Sequence, residues 1–127
     1  ESVEVTGTVP SVAEYLEKAS VVIVPLRIGG GTRLKIFEAM AMGKAMVSTS
    51  IGAEGLEVES GRDLILADDA SSFADAVILL LRDAETRHKF EHAARELAAQ
   101  FDWSRIAPKF AEVLHKVTAG LPGEPRH

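Results

Sequence analysis

Cysteine is absent from the 127 residues, so neither disulfides nor thiolate chemistry contributes, and the redox compartment stays undecided. An excess of positive charge is lacking as well. Fourteen Lys and Arg face 19 Asp and Glu, giving a net charge of −5 spread along the chain, which excludes a nucleic-acid-binding surface. There is no long hydrophobic run: the longest of note, AVILLL at residues 76–81, is far short of the ~20 residues a membrane span requires. No signal-peptide pattern precedes the first apolar segment. The chain opens at Glu1 without an initiator methionine, and the expectation drawn from this is a fragment or a processed product. Internal repeats and a domain-splitting linker are missing too. What remains, 46% hydrophobic and 26% charged, is the composition of an ordinary globular domain. One domain over residues 1–118 and a flexible glycine- and proline-rich tail, AGLPGEPRH, over 119–127 are expected.

The pattern along the chain alternates between strand-like and helix-like segments. VEVTGTV at 3–9 reads as a short strand. Ser11 and Glu14 have capping-box spacing at the head of a helix over 12–19 that buries Val12, Tyr15 and Leu16. VVIVP at 21–25 is apolar at every position, as expected of a strand covered on both faces. A helix over 34–42 follows three glycines and stops at Gly43, a C-terminal cap. AMVST at 45–49 is another apolar strand, and DLILA at 63–67 is the last. Helices over 71–82, 85–100 and 104–117 complete the domain, with Phe73, Phe90, Phe101 and Phe110 in the core and Trp103 structural. Such alternation indicates an α/β fold, Rossmann-like, with a parallel sheet and flanking helices. Ligands of these sheets lie beyond the carboxyl ends of the strands.

The segment GGGTRLKIFEAMAMG at 29–43 carries the chemistry. Glycines let a backbone turn sharply with no Cβ to keep a ligand away. A helix beginning there points unpaired N–H groups and its positive dipole end above the strand, which suits a phosphate or diphosphate. Thr32, Arg33 and Lys35 stand at its first turn, where a cation opposes the dipole unless an anion is bound. Arg33 and Lys35 project about 200° apart, so at most one of them meets such a ligand directly. Glu38, one turn further, is a carboxylate able to accept two hydrogen bonds from a vicinal diol such as ribose. The bland readings stay open: a simple tight turn, solvated cations and a solvent-facing glutamate. Glu54, in SIGAEGL, is either a ligand contact or a carboxylate supporting its turn. Asp68 and Asp69 could mimic an acidic metal pair, but Asp69 is better placed to cap the next helix.

One pattern is a decoy. His88, Glu91 and His92 spell H-x-x-E-H, known from inverted zinc peptidases. The apolar stripe of that helix is Phe90, Ala94, Leu97 and Phe101, and the histidines lie about 160° from Phe90. No third ligand stands out, so a solvent-facing helix is expected, and with it His115.

Taken in series, YLEKA at 15–19, VVIVP, the glycine segment, FEAMAMGKAMVSTSIGAEGL and DLILADD resemble the donor-binding half of a GT-B glycosyltransferase, specifically glycosyltransferase family 4. The resemblance covers about residues 3–117. It implies a nucleotide-diphosphate sugar as donor substrate, no divalent metal, and transfer to an acceptor hydroxyl with retention at the anomeric carbon. The family pattern has two glutamates eight positions apart. The ribose-binding one falls on Glu38, whereas the sugar-contacting one falls on Gly30, a departure that leaves side-chain recognition of the sugar in question. The implied binding set is Gly29, Gly30, Gly31, Thr32, Arg33, Leu34, Lys35, Glu38 and Glu54, with no metal ligand; the catalytic residues stay unassigned.

The resemblance also implies an N-terminal acceptor lobe, and a first strand with a basic donor-contacting pair, that this chain does not contain. On that view the chain alone does not turn over, and a second copy could cover the sheet edge left open. A cytoplasmic parent enzyme, membrane association left open, in polysaccharide or glycolipid synthesis is the wider expectation. The rival reading is a non-catalytic anion-binding or interaction module in which the glycine segment is only a turn.

Overall fold

The structure is a computed structural model, and it describes residues 3–29, 33–100 and 115. In chain order the elements are α1 (Ala13–Lys18), β1 (Val21–Val24), α2 (Arg33–Ala41), β2 (Ala45–Ser48), β3 (Ile65–Leu66), α3 (Ala70–Arg82) and α4 (Ala84–Gln100). The strands form one parallel sheet in the order β1-β2-β3, with Val21 opposite Ala45 and Val47 opposite Ile65. This is the expected parallel α/β architecture. The helix expected over 104–117, with Phe101, Trp103 and Phe110, and the tail expected over 119–127 fall outside the described residues, apart from His115, which is helical and exposed.

Side-chain alternation along β2 divides the core in two. Met46 joins Ile36, Ala39 and Met40 of α2, with Leu16 of α1 and Val22 and Val24 of β1 packed alongside. Ala45 and Val47 face the other way, toward Ala76 and Leu80 of α3, with Val21 and Phe73 against them. α4 belongs to both layers: Phe90 lies in the second cluster, Ala94 and Leu97 in the first. Its later half sits at the amino-terminal ends of the strands, since Leu97 and Asp63 line one cavity and the Arg95 side chain covers Gly43. Among the described residues the carboxyl ends carry the loops that follow β1, β2 and β3.

Several local expectations are corrected. Residues 3–9 form no strand; Val3 and Val5 are exposed, because no described strand pairs with them and an unpaired segment has nothing to bury against. The Ser11–Glu14 capping box does not form. Val12 is the N-cap residue, already in the helical region at φ −74° and ψ −28°, and no side chain caps the helix; the box needs a cap residue outside that region, three places before the glutamate. Val12 and Tyr15 are accordingly exposed, while Leu16 packs on the core. β1 is not covered on both faces, for Ile23 is 49% exposed. It is the outermost strand, and the buried residues of α3 meet Ala45 and Val47 of β2 instead. β3 is shorter than expected, because the buried Asp63 belongs to the preceding turn, where it accepts from the Glu59 amide at 2.8 Å.

The other boundaries agree closely. α2 ends in a paired cap: the Gly43 amide donates to the Met40 carbonyl at 2.9 Å and the Lys44 amide to Ala39 at 3.1 Å, with Gly43 at φ +70°. Asp69 caps α3 as expected, accepting from the Ser72 amide at 2.8 Å.

Candidate functional site

Three described loops meet at the carboxyl edge of the sheet. The first leaves β1 through Pro25 and Leu26 and reaches Gly29 at φ +107°, a left-handed conformation that a side chain rarely adopts. Of the expected binding residues, Gly30, Gly31 and Thr32 lie outside the described residues. The chain then enters α2 at Arg33. Ile36, Ala39 and Met40 turn into the core, which leaves Lys35 and Glu38 exposed one turn apart on the opposite face. Of Arg33 and Leu34 only the backbone is described.

The second loop follows β2 and is a compact turn. Its amides bond backward, Ala53 to the Thr49 carbonyl at 3.2 Å and Glu54 to Ile51 at 3.2 Å. Glu54 is exposed there. Gly52 is required by space: a Cβ would come within 2.6 Å of Ser48 Oγ and 2.9 Å of a Val24 methyl. The turn therefore rests directly on the end of β1. The third loop, after β3, supplies Asp68, whose two carboxylate oxygens accept from the Ser50 amide and the Ser50 hydroxyl, each at 2.7 Å. Those bonds, the amide's first, hold the Asp68 carboxyl below the ordinary 3.8.

Thr49 joins the first two loops. Its amide donates to the Val24 carbonyl at 3.1 Å. Its hydroxyl donates to the Leu26 carbonyl and accepts from the Gly52 amide at 3.0 Å. Gly29 and Glu54 thus stand on loops that follow β1 and β2, which Thr49 ties together, while Lys35 and Glu38 stand on α2, which follows the first of those loops. Sequence reasoning missed the roles of both Thr49 and Asp68. A threonine three residues before a glycine, at a strand end, is the signal that could have found the first.

Other candidates fall away from this edge. His88 and His92 are 67% and 74% exposed, and each pairs with a glutamate, Glu91 at 2.8 Å and Glu96 at 3.3 Å. Among the described residues no group of three His, Asp or Glu could hold a metal ion. Asp68 and Asp69 serve a loop clamp and a helix cap. A shallow cavity of about 200 Å³, lined by Arg62, Asp63, Glu96, Leu97 and Gln100 among others, opens at the amino side, opposite to where parallel sheets bind ligands. Both oxygens of its buried Asp63 are occupied by Arg62 and the Glu59 amide.

Comparison with known proteins bears on the family and the fold. Residues 1–83 match the family model described as glycosyl transferases group 1. The chain is similar to a D-inositol 3-phosphate glycosyltransferase of Paenarthrobacter aurescens, 32% identical over 114 residues, 88% of this chain and 28% of that protein. It is also similar to a phosphatidyl-myo-inositol mannosyltransferase of Mycobacterium leprae, 29% identical over 83% of this chain and 29% of that protein. Among solved structures, sucrose-phosphate synthase from Thermosynechococcus elongatus superposes with a TM-score of 0.71 at 26% identity, over 86% of this chain and 28% of that one. The chain spans less than a third of the length of these relatives.

Proposed function

Since the chain belongs to the group 1 glycosyltransferases, we propose that it is the donor-binding lobe of a retaining GT-B enzyme, which transfers a sugar from a nucleotide diphosphate to an acceptor hydroxyl. One observation carries the reading: beyond the carboxyl end of β1 the chain reaches Gly29 at φ +107°, and α2 begins at Arg33 with Glu38 exposed on it. Backbone amides of Gly29, Gly30, Gly31, Thr32, Arg33 and Leu34, aided by one of the Arg33 and Lys35 cations, receive the diphosphate. They stabilise the negative charge that grows on it as the glycosidic bond breaks, which is electrostatic catalysis. Glu38 accepts hydrogen bonds from the two ribose hydroxyls. Glu54 lies beside the donor. At Gly30 no carboxylate is present to contact the sugar, so that contact falls to other groups.

The names of the relatives, an inositol-phosphate glycosyltransferase and a phosphatidyl-myo-inositol mannosyltransferase, favour glycolipid or polysaccharide synthesis. The acceptor site belongs to an N-terminal lobe outside this sequence, so the chain alone binds donor without turnover. A second copy of the chain pairs with the edge at β1, where the donor lobe's own first strand would otherwise stand; a monomeric mass by light scattering counts against this. No described helix is long and apolar enough to cross a membrane, and the reading places the parent enzyme in the cytoplasm, at a membrane where the acceptor is a lipid.

Calorimetric titration with UDP, GDP and ADP tests the donor site. Half a cleft is expected to bind one of them with a Kd of tens to hundreds of micromolar, about −5 to −6 kcal/mol. Glu38→Ala removes charge-assisted hydrogen bonds of about 1.5–3 kcal/mol each and weakens binding about tenfold or more. Absence of binding at millimolar concentrations of all three defeats the reading for this chain.

A further inference from the structure

We propose that Thr49 is a positioning residue for the nucleotide-diphosphate site, its hydroxyl holding the exit of β1 and the turn after β2 in a single arrangement. The inference rests on the donor-site reading given above. The strand ladder ends at Val24 opposite Ser48, so nothing in the sheet itself fixes the backbone beyond. Leu26 lies two residues past that end and Gly52 four, and the Thr49 hydroxyl reaches both. The hydroxyl has one proton, committed to the Leu26 carbonyl, and a lone pair committed to the Gly52 amide. Thr49 is buried, 8% exposed, so few waters reach its hydroxyl. Three residues beyond Leu26 stands Gly29, and two beyond Gly52 stands Glu54. A shift of either anchor therefore moves a residue of the proposed site.

Two neighbouring features show that the arrangement is tightly determined. Gly52 has no space for a Cβ against Val24 and Ser48. On its other side the turn is tied to the end of β3 by Ser50 and Asp68. Thr49 does not reach the reacting atoms; its influence runs through Leu26 and Gly52.

The test compares Thr49→Val, which matches the shape but removes both bonds, with Thr49→Ser, which keeps them. The wild type and each variant are titrated with UDP, GDP and ADP. Thr49→Val is expected to weaken binding of the preferred diphosphate about three- to tenfold, the loss of one or two neutral hydrogen bonds, and Thr49→Ser to stay within about twofold. Leu80→Ala, which loosens the opposite layer, lowers Tm and leaves the Kd unchanged, separating position from general stability. Equal binding by Thr49→Val, or equal loss in Thr49→Ser, overturns the proposal while the donor-site reading stands. A wild type that binds none of the three overturns both. Should Thr49→Val not fold, hydrogen exchange of the wild-type Gly52 amide decides: protection rising with saturating nucleotide supports the role, and unchanged protection overturns it.

Discussion

Asp63 and Arg62 are neighbours in one ion pair, yet their environments make them unequal. Asp63 is buried and accepts from the Glu59 amide and from Nε and Nη2 of Arg62, whereas the Arg62 side chain is 62% exposed. Asp63→Ala leaves a turn amide without its acceptor and is expected to cost about 1–3 kcal/mol. Arg62→Ala loses mainly solvent-screened pairs and is expected to cost less. Urea unfolding of the two variants measures the difference, and equal losses contradict it. At the other edge, Asp68 titrates below 3.8 because Ser50 donates to its ionised form. A carboxyl depressed in the folded state stabilises above its unfolded pKa and loses that contribution as pH falls through the folded value. Asp68→Asn is therefore expected to lower Tm at pH 7, with the gap to wild type closing below about pH 4; thermal scans across that range check the sign.

The end of α2 shows how two apparent obstacles to a side chain differ. Gly43 sits at φ +70°, and a Cβ there would overlap the Arg95 guanidinium. That guanidinium is the far end of a flexible, exposed side chain and can swing away, whereas the backbone angle persists. Gly43→Ala is expected to cost about 1–2 kcal/mol, almost undiminished in an Arg95→Ala background; chemical denaturation of the double variant tells the two causes apart. Gly43 was legible in the sequence because a glycine after an apolar helix is a local signal. The same holds for Asp69 and for β2. Residues 3–9 were not legible: their alternating valines satisfy a strand pattern, but a strand exists only with a partner. The Ser11–Glu14 pattern failed by one residue of register. Thr49 and Asp68 act across loops 18 to 23 residues apart, and spacing along one segment carries no trace of such contacts.

At the scale of the whole molecule, the later half of α4 lies at the amino edge and the loops build the carboxyl edge of a single sheet, so the donor binding proposed above would be coupled to stability. A nucleoside diphosphate that binds only the folded chain raises stability by about 2.7 kcal/mol at a hundredfold excess over Kd. Differential scanning calorimetry is expected to show a Tm that climbs with the preferred diphosphate and stays flat in Glu38→Ala over the same concentrations. The central position of β2 has a consequence of another kind, for the order in which the chain is made. Val21–Val24, α2 and β2 leave the ribosome as a unit able to pair and to bring Met46 against Ile36, Ala39 and Met40, whereas the buried partners of Ala45 and Val47 lie downstream in α3 and α4. At about 5–20 residues per second, the roughly fifty residues from the end of β2 to the end of α4 take about 3–10 s to emerge. For that interval the nascent sheet presents a bare apolar face, and this is the window in which a ribosome-associated chaperone has something to hold.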